Sequence, residues 1–186
     1  MEHLIRDGWR WLNEPRRWSG NTVTTDPDTD FWRTTHYGFV RDTGHILGTD
    51  KAGDFVLTVT FSGEYTEQYD QAGIAIRLDE ENWVKSGVEL VDGQQQISAV
   101  VTREVSDWSV VALAEPAASV TVKAERAGDT VTISYGLDGA PPATMLRLAY
   151  FPPELSVLAG VMCASPTGKG FTTRFENITI KPHAGT

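Results

Sequence analysis

Apolar and polar positions alternate one for one along most of this chain. Phe55, Leu57, Val59 and Phe61 alternate with Val56, Thr58 and Thr60, and Val120, Val122 and Ala124 alternate with Thr121, Lys123 and Glu125. Thr130–Tyr135 repeats the pattern with Val131, Ile133 and Tyr135. A period of two is the geometry of a strand with one buried face. Further β-like runs are Gln71–Leu78, Trp83–Val91, Gln96–Thr102, Trp108–Ala114, Thr144–Tyr150, Val157–Cys163 and Phe171–Ile180. Turn chemistry separates them at Asp79–Asn82, Asp92-Gly93, Gly128-Asp129 and Asp138-Gly139. No window long enough for a stable helix carries the 3.6-residue period. Roughly ten to thirteen short strands joined by tight turns predict an all-β sandwich or barrel.

The first fifty residues are less regular and richer in Trp, Asp and Thr. They are expected to wrap the sandwich edge rather than to form a second domain. The expectation is one β-sandwich domain over 1–186, with its core at about 9–181 and residues 182–186 frayed.

Charge narrows the function classes. Lys and Arg total 16 against 25 Asp and Glu, a net charge of −9. A nucleic-acid binder or a protein held on anionic membranes needs a basic footprint, so neither partner is expected. No apolar run approaches the ~20 residues that span a bilayer. Met1–Asp7 lacks an apolar signal-peptide core, so a cytoplasmic location is the simplest expectation.

Motifs for metals and nucleophiles fail on spacing. His3, His36, His45 and His183 form no His-x-His pair, and a lone Cys163 supplies no Cys-x-x-Cys. Neither a metal nor a cofactor is expected. Asp26, Asp28 and Asp30 imitate the start of an EF-hand loop, but Phe31 and Tyr37 stand where that loop needs Gly and Glu. A looser calcium site through these carboxylates stays open beside the plainer one, a solvated turn. Cys163 lies in the apolar run Val157–Ala164 and is expected to be buried and inert toward thiol reagents.

Residues 70–109 carry the candidate chemistry. Ile74, Ile76 and Leu78, then Val84, Val88 and Leu90, then Ile97, Ala99 and Val101 form the apolar faces of three successive strands. The opposite faces hold Gln71, Gly73, Ala75 and Arg77, then Trp83, Lys85, Gly87 and Glu89, then Ser98 and Thr102, followed by Asp107-Trp108-Ser109. An ordinary solvated face is dotted with Thr, Lys and Glu. A tryptophan with glycines, an amide, hydroxyls and single charges of both signs instead suits a sugar-like ligand, whose apolar ring face stacks on an aromatic. The candidate ligand-binding residues are Gln71, Arg77, Trp83, Lys85, Glu89, Ser98, Thr102, Asp107 and Trp108.

Several motifs together resemble a known family. They are Trp11-Leu12-Asn13-Glu14-Pro15, Asp30-Phe31-Trp32, Asp70-Gln71-Ala72-Gly73, Trp83-Val84-Lys85-Ser86-Gly87-Val88-Glu89, Ser98–Thr102, Asp107-Trp108-Ser109 and Ser165-Pro166. The chain resembles, from about Trp9 to Lys181, the concanavalin A-like family that includes the yeast regulation-of-enolase protein. The Gln-Ala-Gly and Trp-x-Lys-x-Gly strands also resemble the sandwich domain appended to some β-xylosidases. The resemblance implies a jelly-roll of two antiparallel sheets, one of them concave, and no settled activity. Concanavalin-like glucanases set acids on one strand as Glu-x-Asp-x-Glu. The matching strand here has Glu89 alone, and its partner would have to be Asp70 or Asp107.

Register completes the expectation. Matching the apolar sets and avoiding Arg77 opposite Lys85 selects a five-residue connection with Arg77 opposite Trp83, where a cation–π contact is available. A four-residue loop Asp92–Gln95 then puts Ser98 opposite Glu89 and Glu104 beside Trp83. Gly73, Gly87 and Ala75 would floor an open trough between Glu89 and Lys85. The expected function is non-catalytic recognition of a carbohydrate or small polar ligand there. The alternatives are a sugar-active enzyme using Glu89 and Lys85 as acid and base, and a cytoplasmic regulator acting through a protein partner.

Overall fold

The computed structural model describes residues 4, 6–153 and 155–183. The N-terminal third holds β1 (Trp9–Leu12), β2 (Arg17–Ser19), β3 (Thr22–Thr24), β4 (Phe31–Arg33), β5 (Val40–Asp42) and β6 (His45–Lys51). Then come β7 (Phe55–Gly63), β8 (Gln71–Arg77), β9 (Asn82–Val91), β10 (Gln94–Arg103) and β11 (Val105–Ala112). The chain finishes with β12 (Val120–Ala127), β13 (Thr130–Leu137), β14 (Thr144–Tyr150), β15 (Val157–Ala164) and β16 (Thr172–Pro182). Among the described residues there is no helix, and so none long and apolar enough to cross a membrane.

The strands form two antiparallel seven-stranded sheets. The first runs β1-β6-β15-β8-β9-β10-β11 and the second β14-β13-β12-β7-β16-β3-β2. The all-β sandwich is therefore the observed fold. Alternation explains its core: Ile74, Ile76, Val84, Val88 and Ile97 of the first sheet meet Leu57, Val59, Phe61, Val122 and Ile133 of the second, all at most 2% exposed. Cys163 is buried in the same core, and burial pushes its thiol pKa up. That state favours the unreactive protonated form.

The first fifty residues depart from expectation. Strands β1 and β2–β3 do lie at sheet edges, but β6 sits inside the first sheet between β1 and β15 and β4–β5 forms a ribbon of its own. His45-Ile46-Leu47-Gly48 is buried on both faces, which erases the period-two signal. The chain end also departs. Strand β16 continues through Pro182, opposite Phe55, and His183 N–H donates to Asp54 O at 3.2 Å. Of the stretch expected to fray, residues 184–186 lie outside the described residues.

Register places the site. Gln71 lies opposite Glu89, Gly73 opposite Gly87, Ala75 opposite Lys85 and Arg77 opposite Trp83, as the apolar sets predict. The next hairpin differs. Its loop is the two residues Asp92 and Gly93, so Gln96 lies opposite Glu89, Ser98 opposite Gly87 and Thr102 opposite Trp83. Both loop residues have left-handed backbone, φ 51° and 77°, the geometry of a tight turn whose twist suits paired strands. Glu104 falls at the following turn and leaves the row.

Candidate functional site

Hairpin β4–β5 is a separate two-stranded ribbon lying over the outer face of the first sheet. A second apolar cluster forms where they meet. Phe31 and Trp32 of the ribbon pack with Ile46, Ala75, Trp83, Val100, Leu158 and Met162, with Trp108 partly buried beside them. Polar ties fix the ribbon. Lys85 Nζ donates to Phe31 O at 2.8 Å, Arg77 pairs with Asp42 at 2.7 Å, and Arg33 N–H donates to Ser106 Oγ at 2.9 Å. The open trough expected from the sequence is therefore roofed. Over its glycine floor only a void of about 10 Å³ remains. The glycines serve close backbone approach: a Cβ on Gly87 would collide with the Ala72 carbonyl oxygen.

Beside the roof lies a cavity of about 230 Å³. Lys85, Glu89 and Trp108 rise from the sheet, and Asp30, Trp32, Tyr37, Phe39 and Arg41 descend from the ribbon. Tyr69, Pro166 and Thr167 complete the lining. The ribbon's tip turns through left-handed Thr34, His36 and Gly38, which brings Tyr37 and Phe39 to the rim. Tyr69 is itself left-handed, φ 68°, an unusual state for an aromatic residue and one that costs roughly 1–3 kcal/mol. Its hydroxyl meets that of Tyr37 at 3.2 Å, and this bond with burial pushes the Tyr37 pKa up to about 12.

The charged floor is ordered. Lys85 Nζ also donates to Gln71 Oε1 at 2.6 Å and Asp30 Oδ1 at 3.4 Å. Trp108 Nε1–H is shared between Glu89 Oε2 at 3.1 Å and Ser98 Oγ at 3.0 Å. Burial raises the Glu89 pKa above the ordinary carboxyl range, against the lowering pull of Lys85, Ser98 and Trp108. The site thus joins aromatic walls to a buried carboxyl with an elevated proton affinity.

Lys85, Glu89 and Trp108 reach the cavity directly; Gln71 and Ser98 hold them from behind. The other candidates sit elsewhere. Trp83 is 2% exposed beneath Phe31, ring centroids 6.0 Å apart, so no ligand can stack on it. Arg77 is in register with Trp83 but turns to Asp42, and it is Lys85 Nζ that lies 5.7 Å from the Trp83 ring. Thr102 is fully buried with its hydroxyl on Ser106. Asp107 follows alternation to the face opposite Trp108 and pairs with Arg147 at 2.7 Å. Nor are Lys85 and Glu89 on an open face, being 4% and 7% exposed.

Neither proposed carboxylate partner of Glu89 serves. Asp107 is on the wrong face, and buried Asp70 accepts from Thr66 and Glu67 N–H and from Ser165 Oγ. The second carboxylate in the cavity is Asp30. Asp26 points instead to Arg16 at 3.1 Å, so the acidic triplet diverges, and no cluster of three metal-binding side chains occurs among the described residues. Asp30, Trp32, Tyr37, Phe39, Arg41, Tyr69, Pro166 and Thr167 line the cavity without having been candidates from the sequence. Asp30-Phe31-Trp32 stood among the family motifs, but nothing local shows that the ribbon folds over residues 83–108.

An antiparallel sandwich with a ribbon over one outer face defines the structural class, and solved structures share its fold. A xylan β-1,4-xylosidase from Bacillus halodurans aligns over 84% of this chain and 32% of its own, with TM-score 0.62 and 12% identity. The carbohydrate binding module CBM66 from Bacillus subtilis aligns over 87% of this chain and 95% of its own, with TM-score 0.50 and 15% identity. The chain belongs to the family described as "Protein of unknown function (DUF1349)", matched over residues 11–183. It is 36% identical over 181 residues to Regulation of enolase protein 1 of Saccharomyces cerevisiae, covering 94% of this chain and 90% of that protein. A crystal structure of a functionally unknown protein from Saccharomyces cerevisiae superposes with TM-score 0.91 and 34% identity, covering 98% of this chain and 100% of its own.

Proposed function

We propose that the cavity lined jointly by the β4–β5 ribbon and the first sheet binds a carbohydrate or similar small polar ligand without transforming it. The carrying observation is the pairing of aromatic walls, Trp32, Tyr37 and Trp108, with the buried carboxyl of Glu89 in one concave space. Aromatic faces cover the C–H side of a sugar ring, while carboxylates accept from its hydroxyls. The fold shared with a carbohydrate binding module supports the same direction.

A second reading, catalysis on such a ligand, is favoured by one feature. Asp30 and Glu89 line one cavity, and burial keeps the Glu89 pKa raised, as a general acid requires.

Thermal-shift screening of the full chain against sugars and polyols tests the binding reading. A ligand at 100 times its Kd adds about 2.7 kcal/mol, a rise of roughly 5–11 °C for a chain of this size. Tyr37→Ala at the exposed rim should abolish that rise while leaving the unliganded Tm nearly unchanged. A rise that survives Tyr37→Ala, or none across the library, contradicts the reading. Conversion of the bound sugar, lost in Glu89→Gln, would establish the catalytic alternative.

A further inference from the structure

The polar atoms around the cavity are unequally available to a ligand. Lys85 Nζ has three protons, and three protein acceptors take them: Gln71 Oε1 at 2.6 Å, Phe31 O at 2.8 Å and Asp30 Oδ1 at 3.4 Å. Its donors are thus spent on Gln71 and on holding the ribbon down. Arg41 stands at the mouth with its guanidinium 5.7 Å from the Phe39 ring and Nη1 donating to Asp28 O at 3.4 Å. The carboxylates face the opposite situation. Asp30 gathers its contacts from Phe31 N–H, Gln71 and Lys85 on Oδ1 alone. Glu89 receives Trp108 Nε1–H on Oε2. The deep end therefore offers acceptors. A ligand that brings hydroxyl protons meets them well; one that brings a phosphate or carboxylate sets acceptor oxygens against the open oxygens of Asp30 and Glu89, where desolvation magnifies the penalty.

Shape adds a second constraint. Phe31 and Trp32 seal the face over Ala75, Trp83 and Val100, so no polymer can run along the sheet through the site. Tyr69, Pro166 and Thr167 bound the cavity as well. Its volume of about 230 Å³ is roughly eight waters at ~30 Å³ each, room for one small ring.

We infer that the cavity takes one uncharged, hydroxyl-rich ring, free or as the end unit of a chain, and rejects phosphorylated and carboxylated sugars. The inference rests on the ligand-binding reading and narrows it to a chemical class. Isothermal titration of the full chain at neutral pH tests it with three probe sets: neutral pentoses and hexoses, the same sugars as phosphates and uronates, and neutral oligosaccharides of two to six units. At least one neutral monosaccharide should bind, with its phosphate and uronate at least 10-fold weaker. Oligosaccharide affinity should stop rising after the second unit. Glu89→Gln, which keeps the shape and replaces an acceptor oxygen by an amide donor, should narrow the neutral-to-uronate gap several-fold. Tighter binding of the phosphate or uronate overturns the inference while sparing the broader reading, as does affinity that climbs with every added unit. Binding by none of the three sets overturns both.

Discussion

The two sheets of this sandwich obey one alternation rule and present opposite outer faces. On the second sheet Thr58, Thr60, Thr121, Lys123 and Glu125 are half-exposed, and their contacts are local: Thr60 with Thr121 at 2.9 Å, Lys123 with Glu125 at 2.6 Å. On the first sheet Gln71, Lys85, Glu89, Ser98 and Thr102 are all buried. The difference is the β4–β5 ribbon, which covers one face and not the other. Covering converts a polar face into a second core, and every polar group it traps then needs a partner. Lys85 meets that requirement through the ribbon itself. Glu89 meets it in part, with one carboxyl flank on the cavity. Function is expected where satisfaction is incomplete.

The comparison breaks most sharply at the two lysines. Lys85→Ala strands the Asp30 carboxylate and the Phe31 carbonyl under the ribbon and should cost about 3 kcal/mol or more in urea unfolding. A loss below ~1 kcal/mol would mean that the ribbon is not held there.

Acidity sharpens it next. The Glu89 pKa is raised from 4.5, so the folded state keeps a proton that the unfolded chain releases. Its stabilising contribution is full below pH 4.5 and is lost as pH rises through the raised value. Buried His45 acts in the other direction: its pKa is lowered from 6.5 by burial, and its contribution is lost as pH falls. The difference between wild type and Glu89→Gln cancels the histidine. Measured by Tm from pH 4 to 8, Glu89→Gln should gain on wild type as pH climbs above 4.5. Parallel curves would place Glu89 in water.

Tyr69→Gly should move stability by about 1 kcal/mol or less, because relief of the left-handed strain offsets the lost ring. Sugar binding should nonetheless disappear, and binding that survives would remove Tyr69 from the site. The smallest effect belongs to the open face: Lys123→Ala should stay within ~0.5 kcal/mol of wild type.

How much of this was legible in the residues follows from what each pattern constrains. The β8–β9 register could be derived because the apolar sets restrict it to alternate pairings and like charges exclude one of the survivors. The β9–β10 register could not. Two-residue and four-residue loops put the same side chains on the same faces, so only turn backbone decides between them. The Asp92-Gly93 pair was the available signal for the shorter loop. Trp83 was on the right face and still failed as a stacking platform, because alternation reports the face of a residue and not what lies over it. Asp30, Tyr37 and Tyr69 come from a ribbon and a loop without period-two runs, and long-range folding alone carries them to Glu89.

The most direct test of a ligand site under the ribbon uses the six tryptophans as position markers. With ¹⁵N-labelled protein, the indole N–H resonances are followed while a sugar found by thermal shift is titrated in. Trp108, whose Nε1–H bonds Glu89, and Trp32, at the cavity wall, should shift together in proportion to saturation. Trp83, buried under Phe31, and Trp18, at the edge of the second sheet, should hold still. Saturable binding that leaves Trp108 and Trp32 unmoved, or that moves Trp18 instead, would contradict the account.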